Sequence, residues 1–217
     1  MLNYFVIIFY ILNIFSIAII YSIYKPYNKE FLRKIIHIGI GPLIPIAQYL
    51  QINQMSALVF TGLMSLLILS NYRYRIFPII EDVDRKSYGT FFYCLSLFIL
   101  IIFFWKKDPL SLITGFLIMT FGDGLAGLIG KNIPSKTWSL LKQKKSLLGT
   151  LTMFITTLII LISLNYSGGY EFSFYLIIIA IFATLFEQIS IVGIDNLTVP
   201  IYSAFSFNLL ISKILIN

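Results

Sequence analysis

The sequence predicts an all-α protein, a polytopic transmembrane bundle of seven or eight helices with its N-terminus outside. Three observations carry that expectation. Of 217 residues, 59% are hydrophobic and 12% charged, a balance that soluble domains of this size do not reach. Apolar stretches long enough to cross a ~30 Å hydrocarbon core recur along the whole chain. These stretches are unbroken rather than alternating, which favours helices over a closed barrel, the only other way to satisfy backbone groups without water.

The expected spans cover residues 2–24, 35–50, 55–70, 88–105, 109–130, 147–165, 172–193 and 197–216, all within one transmembrane domain over 1–217. The first has no basic residues before it and no small-residue cleavage site, so it reads as an uncleaved helix. The second opens at the chain's single histidine, His37, directly after a basic stretch. The fourth holds the lone Cys94, which excludes an intrachain disulfide and fits core packing. The fifth carries Asp123 between glycines, and the seventh carries Glu187 near its end. The eighth contains Pro200 and is the weakest of the set.

Orientation follows from the sixteen lysines and arginines. Thirteen fall in alternate connections: Lys25, Lys29, Arg33 and Lys34; then Arg73, Arg75, Arg85 and Lys86; then Lys131, Lys136, Lys142, Lys144 and Lys145. The other connections and the C-terminal end hold only Lys106, Lys107 and Lys213. By the positive-inside rule the three basic connections are cytoplasmic. The net charge of +7 is explained by orientation and anionic headgroups, and calls for no nucleic acid. The unusual polar residues (His37, Arg85, Ser87, Thr90, Asp123, Glu187, Asp195 and Asn196) fall on that same side. Such convergence points to one site facing the cytosol.

Asp123 is the most informative of them. A carboxylate at membrane depth costs several kcal/mol without a partner, metal or water, and Gly122 and Gly124 leave room for close approach. The stretch from Gly122 to Gly127 matches G-x-G-x-x-G, but no strand precedes it, so a dinucleotide fold is excluded. Helix packing accounts for Gly122, Ala126 and Gly130 at four-residue steps, and leaves the acid unexplained. Arg33 and Lys34 share a helical face with His37, either as snorkelling bases at a helix start or as part of a site. The lysine-rich connection runs into Ser146 and Gly149 at the next helix start. There, free N–H groups beside lysines could bind phosphate, or the loop is simply solvated. Glu187 and Asp195-Asn196 run against the basic bias and call for cations: Mg²⁺ with nucleotide phosphates, or the nearby lysines.

In order along the chain, Arg33-Lys34-x-x-His37, Gly89-Thr90 with Tyr93, Gly122-Asp123 with Ala126 and Gly130, Lys145-Ser146-x-x-Gly149-Thr150, and Glu187 with Asp195-Asn196-x-x-x-Pro200 resemble the phytol kinase / dolichol kinase family of CTP-dependent lipid-alcohol kinases. Each piece alone is weak, and the ordered set is fairly specific. The short length is more similar to the phytol kinase branch. Two positions depart from the pattern: Lys131 stands where many members have Arg, and Leu148 where many have Glu.

The resemblance implies transfer of the γ-phosphate of a nucleoside triphosphate to a membrane-embedded isoprenoid alcohol. CTP is the expected donor, with UTP and ATP not excluded. It implies an integral protein of the bacterial cell membrane with bilayer, lipid alcohol and nucleotide as its partners, and it leaves oligomeric state open. On that basis Asp123, Asp195 and Glu187 are expected to hold Mg²⁺, with Asn196 nearby. Lys136, Lys145, Ser146, Gly149 and Gly122 are expected at the nucleotide. Arg33 would steady the transferring group, and His37 or Asp123 would accept the hydroxyl proton. The alternatives within enzymes are a CTP-dependent diacylglycerol kinase or a phosphatidate cytidylyltransferase-like enzyme. The glycine-histidine stretch characteristic of the latter is missing. An ion-coupled transporter would spread polar residues through the membrane depth, and the outer halves of the spans are nearly pure apolar. A non-catalytic assembly protein leaves the carboxylates unexplained.

Overall fold

The computed structural model describes residues 1–25, 29–74, 88–141 and 143–216. Nine helices and one small hairpin make up the described chain: α1 (Leu2–Tyr24), α2 (Lys29–Ile40), α3 (Leu43–Tyr49), α4 (Gln54–Tyr74), α5 (Gly89–Phe104), α6 (Pro109–Asn132), β1 (Thr137–Leu140), β2 (Gln143–Ser146), α7 (Leu147–Ser167), α8 (Tyr175–Gln188) and α9 (Asp195–Ile216). The all-α bundle is the architecture that the apolar runs predict. Five helices, α1, α4, α6, α7 and α9, are long and apolar enough to cross a membrane, and α5 and α8 are shorter apolar helices. Of the residues singled out in the sequence, Arg75, Arg85, Lys86, Ser87 and Lys142 lie outside the described set.

Two local features differ from the expected spans. The run at 35–50 is not one helix. It breaks at Gly41-Pro42, where the proline cannot donate a backbone hydrogen bond and the preceding residue is pushed away from helical geometry. An added Cβ at Gly41 would lie 2.9 Å from both the Phe121 ring and the Thr120 hydroxyl, so the break sits directly against α6. The irregular backbone is tolerated at this depth because Leu43, Ile44 and Ala47 bury α3 within the protein. The second difference is the lysine-rich connection, which pairs as an antiparallel hairpin in the register Thr137–Ser146, Trp138–Lys145, Ser139–Lys144 and Leu140–Gln143.

Helix α6 is the axis of the bundle. Asp108 caps its start by accepting from the Ser111 N–H at 3.1 Å, with Pro109 in the first turn. The Asn208 amide of α9 donates to the same carboxylate at 2.7 Å. Midway, Ile118–Asp123 forms a π-helical segment. Such a segment re-aims every side chain that follows it, and insertions of this kind are frequent at functional sites.

Small residues let the neighbours of α6 approach closely. At Gly115 an added Cβ would fall 2.4 Å from the Pro200 carbonyl oxygen and 2.8 Å from the Ala204 Cβ, so α9 lies almost backbone-to-backbone on α6. One apolar core gathers Ile44, Tyr93, Leu97, Phe104 and Phe116 between α3, α5, α6 and α9. A second gathers Met153, Leu161, Leu176, Val199 and Phe207 between α6, α7, α8 and α9.

Replacing Gly115 by alanine should lower stability by about 1–3 kcal/mol through overpacking, read as a lower thermal midpoint in detergent. The same change at Gly62, where the new carbon would meet only the Phe98 ring at 3.3 Å, should cost less. Equal losses at the two positions would mean that the α6–α9 approach is not a tight constraint.

Candidate functional site

Four chain-distant segments converge at one end of the bundle. They are α2 around Lys34 and His37, α6 around Asp123, the hairpin with the start of α7, and the α8–α9 junction. A cavity of about 660 Å³ opens among them. Carboxylate oxygens of Asp123, Glu187 and Asp195 all lie within 4.8 Å of one another at this point.

Each acid reaches the cluster by a different local device. Asp123 ends the π segment and receives the Lys34 ammonium on Oδ2 at 2.7 Å and on its backbone carbonyl at 3.1 Å. Lys34 is buried. Its stem passes over Gly127, where an added Cβ would sit 2.7 Å from Cε, so the glycine makes the lysine's path possible. Glu187, in the last turn of α8, pairs with Lys145 of β2, whose ammonium also donates to the Glu187 carbonyl at 2.7 Å. Gln188 donates to Glu187 Oε2 at 2.8 Å and to Thr150 Oγ1 at 2.8 Å. Asp195 opens α9, its N–H donating to Ser190 Oγ at 3.3 Å. The Asp195 Oδ1 atom is buried without a hydrogen-bond partner among the described residues, and so is Oδ1 of Asn196. The Asn196 amide donates to the Gly89 carbonyl at 3.1 Å and holds the α9 start to α5.

His37 lies against the same acid. Its Nε2 is 3.1 Å from the Met119 carbonyl and 3.4 Å from Asp123 Oδ2. Both neighbours only accept, so Nε2 carries the proton and Nδ1 is the basic nitrogen of the neutral ring. The Tyr93 ring meets the imidazole edge-on, with centroids 4.7 Å apart. Arg33 lines the cavity beside Lys34.

Other residues singled out in the sequence sit elsewhere or act differently. Gly122 faces α7, where an added Cβ would be 2.8 Å from Met153 Sδ, so its small size serves helix packing. Lys136 is exposed just before β1 and does not line the cavity. Ser146 and Gly149 do line it. However, the first N–H groups of α7 are already taken: Leu147 donates to the Lys136 carbonyl at 2.9 Å, Leu148 to Ser135 Oγ at 3.3 Å, and Gly149 to Ser146 Oγ at 3.2 Å. Among the described residues, open backbone donors, the reason for expecting phosphate at that helix start, are therefore absent there. Lys131, Lys144 and Lys145 line the cavity wall.

The sequence places Lys34 beside His37, either as a snorkelling base or as part of a site, and names no carboxylate partner for it. Its adjacency to His37 is local and legible, whereas its carboxylate partner lies 89 residues away.

The chain is 38% identical over 180 residues to a protein of Synechocystis sp. named phytol kinase, an alignment that covers 81% of this chain and 77% of that one. The chain belongs to the phytol kinase family. A Triticum aestivum protein named "Probable phytol kinase, chloroplastic" is 26% identical over 80% of this chain and 65% of its own length. Phytol kinase 1, chloroplastic, of Arabidopsis thaliana is 32% identical over 52% of this chain and 40% of its own. No family model matches the chain, and no solved structure matches it. Membership of this family and the five long apolar helices identify a membrane protein.

The Lys34–Asp123 pair makes a stability prediction. Lys34→Met should cost about 3 kcal/mol, because it strands a carboxylate that is only 15% exposed. The double variant Lys34→Met/Asp123→Asn should recover much of that loss. A double-mutant cycle in detergent measures it, and strictly additive losses would show that the two groups are not coupled.

Proposed function

We propose that this protein transfers the γ-phosphate of CTP to the hydroxyl of a membrane-embedded isoprenoid alcohol, phytol or another polyprenol, at the cytoplasmic face of a bacterial cell membrane. The observation that carries the reading is one cavity lined by three convergent carboxylates, a set of lysines and an apolar groove. The names of the relatives support a kinase and its acceptor. The sorted basic connections support the cytoplasmic orientation, with the N-terminus outside.

The donor set fits Mg²⁺. It consists of oxygen ligands on three segments, one of them, Asp195 Oδ1, buried and without a hydrogen-bond partner among the described residues. Asp123, Glu187 and Asp195 would hold the ion. When bound, it would supply charge neutralisation to the phosphate oxygens.

In this mechanism Lys145 and Lys144 hold the triphosphate by side-chain charge, and Arg33, one residue from Lys34 on α2, steadies the transferring group. In the resting site Lys145 is paired with Glu187 and Lys34 with Asp123. The lysines thus offset the charge of Asp123 and Glu187 before nucleotide arrives, and would be free to turn to phosphate if a cation took their place. The alcohol oxygen attacks the γ-phosphorus, the bond to the β-phosphate bridging oxygen breaks, and CDP leaves. The hydroxyl proton passes to a base on the chain. Two acceptors stand at this point, Asp123 and Nδ1 of His37. Met119 fixes the His37 ring by accepting from Nε2.

The test supplies the purified protein with a panel of lipid alcohols and CTP labelled in the γ-phosphate. Label on the lipid, lost on chelation of divalent cations, is expected. Label released as pyrophosphate would make the protein a cytidylyltransferase. Asp123→Asn should abolish transfer with insertion intact, and His37→Ala should lower the rate by about 10²-fold or more if the ring accepts the proton. Full turnover in Asp123→Asn would remove that acid from the chemistry.

A further inference from the structure

The cavity has a second arm that the phosphoryl-transfer residues do not use. On α1 it is lined by Ile11, Phe15, Ala18, Ile19 and Ser22, residues four, seven, eight and eleven positions apart from the first and so on a single helical face. On α4 it is lined by Phe60, Thr61, Met64 and Ile68, again one face. Leu97 and Cys94 of α5 join them.

The two helices meet near their far ends, where the Tyr4 and Ser56 hydroxyls are 3.1 Å apart. The adjoining side of α1 is fixed to α2: Tyr10 donates to the Gly39 carbonyl at 2.7 Å, and Ile14 fills the space over Gly39. Thr61 and Ser22, the polar residues on the two walls, spend their hydroxyls on the Ala57 carbonyl at 2.8 Å and the Ile19 carbonyl at 2.7 Å. The slot between α1 and α4 is therefore apolar, walled by helices that are anchored elsewhere, and continuous with the carboxylate cluster.

We infer that this α1–α4 slot seats the hydrocarbon tail of the acceptor and sets which chain lengths the enzyme accepts, with Ala18 and Met64 as the residues that determine its width. The inference rests on the proposed kinase reading for the identity of the occupant. An apolar chain with one hydroxyl suits the geometry: the tail fills a groove with no unsatisfied polar partner, and the hydroxyl end emerges at Asp123 and His37. Both walls also carry outward apolar side chains, Leu12 and Ile20 on α1 and Leu63 and Leu67 on α4. A tail can thus enter sideways from the bilayer without crossing water.

A long-chain prenyl alcohol of phytyl length, carrying a diazirine at the tail end, tests this without turnover. It is photolysed with the full-length protein in detergent, and adducts are located by peptide mass spectrometry. Adducts on Phe15, Ala18, Phe60 or Met64 that unlabelled alcohol competes away are expected. Adducts confined to the outward faces of α7 and α8, or insensitive to competitor, overturn the proposal. A second measurement compares kcat/KM for the long alcohol with that for a prenol of one isoprene unit. Met64→Trp and Ala18→Phe should each lower that ratio by about tenfold or more, and an unchanged ratio in Met64→Trp overturns the width role even if Ala18→Phe fails to fold. A wild-type protein that phosphorylates no alcohol would sink the kinase reading alone, since the crosslinking pattern still decides the slot.

Discussion

Charge imbalance in a confined space governs this structure. Three carboxylates approach within 4.8 Å of one another. At an effective dielectric near 20, two unit charges at that separation repel by about 3 kcal/mol. Lys34 and Lys145 offset two of the three acids by direct contact. Among the described residues Asp195 forms no ion pair, and one of its oxygens has no hydrogen-bond partner. On the proposed reading a divalent cation would be shared by all three acids, as the carboxylates of a phosphate-metal site share theirs.

The rest of the bundle can be read as the means of holding that cluster. Helix α6 presents glycines on several sides, and each admits a different neighbour. Gly115 admits α9, Gly122 admits Met153 of α7, Gly124 admits Ile38 of α2, Gly127 admits the Lys34 stem, and Gly130 meets Ser146 and Gly149 at the start of α7. Close helix packing and the delivery of Lys34 to Asp123 are thus the same feature of the sequence seen from two sides. The hairpin belongs to the same scheme. A two-stranded ribbon is marginal alone, and the Lys145–Glu187 pair fastens it to α8.

The spans were legible because membrane helices announce themselves by length and apolarity, which are local properties. Asp123, Glu187 and Asp195 stood out for a related reason, since an acid in apolar surroundings contradicts its context. What stayed hidden depends on tertiary contacts. The Gly41-Pro42 break carries a local signal, but prolines inside a membrane run, here Pro42 and Pro45, are compatible with a kinked continuous helix as well as with two short ones. The hairpin has no Asn-Gly or Asp-Gly at its turn. Leu141 takes the left-handed conformation instead, at φ 49°, which no propensity rule favours. The occupied N–H groups at the α7 start are a further case: the Ser146 cap is readable from sequence, whereas the Lys136 carbonyl and Ser135 hydroxyl that take the preceding two donors arrive with the hairpin fold.

A cavity with one ionic end and one apolar arm answers a specific chemical difficulty. Water is a more abundant nucleophile than any lipid alcohol, and a triphosphate bound in an open site would be hydrolysed. A helix-walled slot filled by a hydrocarbon tail displaces water from the side on which the hydroxyl arrives, and it strengthens each charge contact by lowering the local dielectric. Part of the ionic end is already covered before substrate binds, because Lys34 and Lys145 occupy two of the three acids. On the proposed reading the apolar arm would supply the binding free energy and the orientation, and the lysine–carboxylate pairs would hold the acids until a cation and phosphate took their place.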